Sequence, residues 1–300
     1  MSANKNKDAD RNRRNRSSKI NFGDKGKQVL ENIDENNSVI KQFREYSLEL
    51  DNKHDRYEKI VKFNRDITIE SKRIIFLLHA IDKDSKRDKI LNDAKIRLDN
   101  LTKTLFKNIA MELDGQDQYQ YLRAYRGGLQ EFIEALTFYH YLDSNKLIHW
   151  IDFEDSFTYN IESVKQPDDG DDDDVTFVDK SKTINTLLPP SEYILGVVDL
   201  TGELMRKCIS DLSTGDITSC FKTCNIVRDM YSAFLGIYGM MGKELNKKIY
   251  TLKQSLTKME NVCYTIKIRG SEIPKHMLAD VVCVTHDDYN DENESYNEFT

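Results

Sequence analysis

The stretch YLRAYRGGLQEFIEALTFYHYLD, from Tyr121 to Asp143, decides how the rest of the chain is read. At about 100° per residue it winds Leu129, Phe132, Ile133 and Leu136 onto one face. The opposite face carries Phe138, Tyr141 and Leu142 beside Glu131 and Glu134. A helix that is apolar on nearly every side belongs at the centre of a bundle, so the spacing predicts a central helix from about Asp117 to Asp143.

Working outward, the flanks repeat the helical period. Apolar positions recur from about Ser38 to Ile81, including Phe43, Tyr46, Leu50, Ile60, Ile67 and Ile74, and again from about Ser85 to Leu113, with Gly115 beyond the end. Pro189 and Pro190 suit the start of a helix that runs to about Leu212. Asp216 opens another to about Ile237, and a last long helix spans about Lys243 to Ile268, followed by a short amphipathic piece from Pro274 to Val282. Only 4 prolines and 13 glycines interrupt 300 residues, and no strand-type alternation of useful length stands out. The expected fold is all-α, a single antiparallel bundle of six or seven helices.

The formal charge of -7 is unevenly distributed. Residues 1–28 hold nine Lys or Arg against three Asp, the run from Asp168 to Asp174 holds six Asp, and residues 287–300 hold six acids and no base. Without these segments the body stands near -1, which excludes the strongly basic balance of a stand-alone nucleic-acid binder. A nucleic-acid role then requires local arginines or a partner. We expect a disordered basic tail over residues 1–34, a helical domain over 35–285 with a flexible acidic insertion at about 163–187, and a disordered acidic tail over 286–300. The cluster Arg11, Arg13, Arg14, Arg16 and Lys19 reads as a nuclear-import signal, an RNA-contacting arm or a solubilising tail.

Five cysteines, Cys208, Cys220, Cys224, Cys263 and Cys283, lie in apolar helical stretches without paired CxxC spacing. They read as buried free thiols rather than zinc ligands. His79, His140 and His149 are scattered and read as buried or surface residues, and neither a Gly-rich phosphate loop nor a nucleophile elbow is present. No apolar run reaches membrane-spanning length and no hydrophobic leader follows Met1, so the expectation is a soluble intracellular chain with no membrane partner.

Four carboxylates sit where a bundle surface does not call for them. Glu131 and Glu134, at i and i+3, lie among apolar groups. Asp199 and Glu203, at i and i+4, share a face of the Pro-initiated helix apart from its core stripe of Tyr193, Val197, Leu200, Leu204 and Cys208. Gly196 borders that face and leaves room for another helix or a ligand to approach. Four hard oxygen donors from two helices suit Mg²⁺ or Mn²⁺. The alternative is that these acids form solvated or salt-bridged faces. Arg123 and Arg126 precede the glutamates and are candidates to neutralise them or to hold RNA phosphates.

Three segments, YLRAYRGGLQEFIEA (Tyr121 to Ala135), SEYILGVVDLTGELMRKCI (Ser191 to Ile209) and YTLKQSLTKMENVCYTIKIRGSEIPKHMLADV (Tyr250 to Val281), resemble the translin family over roughly residues 35 to 285. The second places the chain apart from translin itself, which has an uncharged residue and a differently placed acid where Asp199 and Glu203 stand here. The resemblance implies a translin-like helical fold, joined with translin in a closed hollow hetero-oligomer. It further implies that the complex cuts single-stranded RNA with Mg²⁺, for which Mn²⁺ substitutes, and takes single-stranded DNA as a further ligand. The family's catalytic acids fall on Glu131, Glu134, Asp199 and Glu203, with Glu134 and Glu203 as principal metal ligands. Removal of passenger-strand fragments in RNA-induced silencing, trimming of transfer-RNA leader fragments, and residence in cytoplasm and nucleus follow from the same resemblance. Gly127 and Gly128 replace a longer family segment, which leaves the placement of Arg126 open. The alternative is a non-catalytic nucleic-acid-binding scaffold that gives translin a nuclear address.

Overall fold

The computed structural model describes residues 33–34, 36–81, 84–162, 181–240 and 242–269. The basic tail apart from residues 33 and 34, most of the acidic insertion, the Pro274 to Val282 piece and the acidic tail all lie outside the described residues.

Long helices dominate, as the scarcity of Pro and Gly predicts. In chain order they are α1 (Ser38–His79), α2 (Asp84–Leu101), α3 (Lys107–Glu112), α4 (Gln118–Ser144), α5 (Ile151–Glu154), α6 (Pro190–Thr214), α7 (Ile217–Gly236) and α8 (Gly242–Arg269). Local chemistry sets their ends. The Asp117 carboxylate accepts from Tyr119 N–H at 3.1 Å to start α4, and Asn145 closes it in the left-handed region at φ 56°. Pro190 opens α6, and Gly215 at φ 84° ends it. Asp216 then caps α7 by accepting from Ser219 N–H at 3.0 Å.

Two compact units divide the chain, Met1–Asp55 and Arg56–Thr300. In the first, Phe43, Tyr46 and Leu50 of α1 are exposed. They do not supply the core stripe that their spacing suggests. In the second, α4 is central as expected: Tyr125, Leu129, Phe132 and Phe138 are fully buried, and α4 packs chiefly against α6, which also packs against α7 and α8.

One departure from the all-helical reading is a short antiparallel pair, β1 (Thr158–Glu162) and β2 (Ser181–Asn185), in the register Thr158↔Asn185 and Glu162↔Ser181. Residues 181–187 therefore do not belong to a structureless insertion. The pair is tied to the bundle where α2 passes through a π-helical turn, Thr102–Phe106, into α3. Tyr159 Oη donates to the Thr102 carbonyl and Thr186 Oγ1 to the Phe106 carbonyl, each at 2.8 Å. Below it Phe106, Phe132 and Phe157 meet edge to face, with centroids 4.8 to 5.9 Å apart. Phe153 and Phe157, where the helical period fades, are thus core residues held by a strand pair.

Candidate carboxylate site

Close approach of α4 and α6 creates the site. A Cβ on Gly196 would lie 2.7 Å from Ile133 Cβ and 2.9 Å from the Gln130 carbonyl, so only glycine lets the helices meet at this crossing. Gly196 admits a helix rather than a ligand. A second contact braces α4 against α1: Gly128 N–H donates to Asn64 Oδ1 at 2.6 Å, and a Cβ on Gly128 would collide with the Asn64 backbone and side chain.

One turn beyond the Gly196 crossing, Glu131 and Glu134 from α4 and Asp199 and Glu203 from α6 line one cavity of about 540 Å³. Lys248, from α8, lines it as well. All four acids singled out in the sequence are therefore in one place. Among the described residues, however, no three His, Cys, Asp or Glu side chains stand as a ready-made metal ligand set. The cavity is one that side-chain rotation would have to close on an ion.

Three of the four acids have cationic or imidazole partners. Glu131 Oε1 lies 3.1 Å from Lys72 Nζ, and Glu203 Oε2 lies 2.5 Å from His79 Nε2 and 3.2 Å from an Arg206 guanidinium nitrogen. Asp199 Oδ2 accepts from Lys248 Nζ at 2.5 Å. Burial still raises the Asp199 carboxyl above its ordinary value, against the lowering effect of Lys248. Glu134 is different. Burial first, then the negative fields of Asp199, Glu203 and Glu131, push it up to about 8, against a smaller lowering effect of Lys248. The shift favours the protonated form of this carboxyl in the metal-free chain.

Neither of the two arginines named in the sequence reading lines the cavity. Arg126 pairs with Glu192 at 3.4 Å and Glu244 at 2.5 Å. Glu192, only 5% exposed, also accepts from Gln130 Nε2 at 2.5 Å. Arg126 thus pairs with a buried carboxylate at the start of α6 and does not line the cavity of the four acids, while Arg123 is exposed on α4. Of the groups that do face them, Lys72 and the imidazole of His79 come from another helix and were not legible from sequence spacing, whereas Arg206 stands one turn from Glu203 at i and i+3. His79 is 124 residues from Glu203 and nothing local marks it, although it packs on Phe138 with centroids 4.8 Å apart. Lys248 left a signal: it stands among Leu245, Ile249 and Leu252, all buried, where a bundle helix ordinarily places an apolar residue. As expected, Cys208, Cys220, Cys224 and Cys263 are buried free thiols; Cys283 lies outside the described residues. No described helix is long and apolar enough to cross a membrane.

The family model described as "Translin family" matches residues 55–270. The chain is 43% identical over 251 residues to "Translin-associated protein X" of Rattus norvegicus, covering 82% of this chain and 84% of that protein. It is 41% identical over 268 residues to the protein of the same name from Pongo abelii, covering 88% and 90%. "Translin" of Gallus gallus is 28% identical over only 79 residues. Among solved structures, that titled "Structure of AfC3PO - duplex RNA complex" superposes with a TM-score of 0.55 at 18% identity, covering 77% of this chain and all of that one. The one titled "Crystal structure of apo-NeC3PO" does so at 0.53 and 19%, covering 75% and 95%. At these identities the structures establish the fold alone.

Proposed function

We propose, from the premise that this chain belongs to the translin family, that it is the RNA-cleaving subunit of a hetero-oligomer with translin. In this reading it is a Mg²⁺-dependent endoribonuclease acting on single-stranded RNA, with Mn²⁺ able to replace Mg²⁺. The observation that carries the reading is the convergence of Glu131, Glu134, Asp199 and Glu203 on one cavity, with Glu134 largely out of water and without a cation in direct contact. Hard carboxylate oxygens in that number fit a divalent ion in kind, and the neutralising charge would relieve the conflict that pushes Glu134 up.

The residues have separable tasks. Glu134 and Glu203, one from each helix, would be the principal ligands. His79 holds Glu203 by one oxygen, and Lys72 holds Glu131. When bound, Mg²⁺ supplies Lewis-acid activation of water and neutralises charge on the phosphodiester. The names of the relatives above, associated with translin, support the partner, and a complex of the same fold with duplex RNA supports RNA as the ligand class, the single-stranded preference coming from the family resemblance. Passenger-strand removal in silencing, transfer-RNA leader trimming, binding of single-stranded DNA, and residence in cytoplasm and nucleus remain parts of the same proposal, as do the two tail boundaries.

The test uses full-length chain co-purified with translin and a labelled single-stranded RNA. Cleavage that requires Mg²⁺, stops with EDTA and is lost in the Glu134→Ala, Glu203→Ala double variant, with assembly intact, is expected. Wild-type cleavage by that double variant overturns the reading. A non-catalytic scaffold is the second reading, and one observation favours it: three of the four acids already have partners without any metal. RNA binding with no cleavage under the same conditions would select it.

A further inference from the structure

Lys248 is placed unlike a surface lysine. An ammonium group has three donors and no acceptor. Here Nζ finds three acceptors: Asp199 Oδ2 at 2.5 Å, Gln130 Oε1 at 3.0 Å and the Leu195 carbonyl at 3.3 Å. These come from α4 and α6, while the lysine itself comes from α8, so one cation ties together the three helices around the cavity. The side chain is 21% exposed, and its stem leaves a helix face of buried Leu245, Ile249 and Leu252.

The electrostatics give the position a purpose. Four carboxylates crowd one cavity, and such a cluster repels itself unless a positive charge enters. Lys72 and Arg206, which face Glu131 and Glu203, are 63% and 64% exposed, so water screens them. Lys248 is the better shielded cation, and its field reaches Glu134 as well as Asp199. By taking Asp199 Oδ2 it also leaves that carboxylate a single uncommitted oxygen.

We infer that Lys248 is a built-in counter-cation of the carboxylate cavity, a positioning residue that holds the site together before a divalent ion arrives and then competes with that ion for Asp199. The inference rests on the carboxylate cavity being a divalent-ion site, as proposed above. Two opposite effects follow from one substitution. Removing the charge loosens the metal-free site, and it strengthens attraction for the ion, because a dication no longer shares the cavity with an ammonium group.

Mn²⁺ titration by calorimetry and Mn²⁺-induced shift of Tm, at one fixed pH, read both effects in the full-length chain co-purified with translin. Lys248→Met is expected to lower the metal-free Tm, to enlarge the Tm gain on adding Mn²⁺, and to tighten Mn²⁺ binding by about tenfold, as expected for removing a unit charge a few ångströms from a dication in a wet site. Lys248→Arg, which keeps the charge, should bind Mn²⁺ as the wild type does. Lys248→Gln, which keeps hydrogen-bonding capacity without charge, gives the same reading if the Met variant fails to fold. A merely structural lysine predicts a lower metal-free Tm with Mn²⁺ affinity unchanged or weaker, and that result overturns the inference while leaving the metal site standing. Absence of Mn²⁺ binding in wild type and variants alike overturns the metal site itself.

Discussion

His79 Nε2 stands 2.5 Å from Glu203 Oε2, joining the last residue of α1 to the middle of α6 across 124 residues of sequence, with both side chains largely buried. The contact fixes the direction of a carboxylate that we assign to a metal, and partners of this kind hold a ligand in its working orientation. The Phe138 ring against the imidazole fixes the histidine in turn.

His79→Leu should therefore lower RNA cleavage roughly 10- to 100-fold while leaving the hetero-oligomer assembled. Single-turnover cleavage and size-exclusion chromatography check it together. Unchanged cleavage would remove His79 from the site.

Metal-free stability should depend on pH through Glu134. Its carboxyl rises from 4.5 to about 8 in the folded chain, so folding favours its protonated form. The associated stability is fully present below about 4.5 and is lost as pH climbs through 8. Urea unfolding between pH 5 and 8.5 should show a stability decline that is shallower in Glu134→Gln. Equal slopes in the two proteins would contradict the raised carboxyl, and Mn²⁺ at pH 8 should restore part of the loss.

Gly196→Ala forces a methyl group against Ile133 and the Gln130 carbonyl. The change should destabilise the chain by about 1–3 kcal/mol and, by spreading α4 from α6, weaken cleavage as well. Denaturant midpoints and cleavage rates are the readouts. A neutral outcome on both would mean that the crossing is looser than described.

Arg126→Ala should act on folding rather than on RNA affinity, since its guanidinium pairs with Glu192 and Glu244. Loss of a cation from the nearly buried Glu192 should cost on the order of 1–3 kcal/mol. An RNA affinity that falls with stability unchanged would restore the phosphate-binding role suggested by its place in sequence.

These cases show what the sequence makes legible. Helices α4, α6, α7 and α8 declared themselves because period, caps and breakers agree: Asp117, Pro190, Gly215 and Asp216 mark ends that local chemistry enforces. The four acids were visible because each sat at odds with its helix face. The strand pair was not, since β1 and β2 are five residues each and find one another across a segment with no pattern of its own. His79 and Lys72 were invisible for the same reason at longer range, their role being set by tertiary approach alone. Arg126 does not neutralise the four acids, because proximity along α4 is not proximity to the cavity: Glu192 and Glu244 reach it first.

The most direct test of the central claim is a crystal structure of the full-length chain with translin in the presence of Mn²⁺, read by anomalous scattering. The account predicts a Mn²⁺ peak in the cavity between α4 and α6, with oxygens of Glu134 and Glu203 at roughly 2.0–2.3 Å. A cavity that stays empty of anomalous signal at saturating Mn²⁺ would contradict the divalent-ion site.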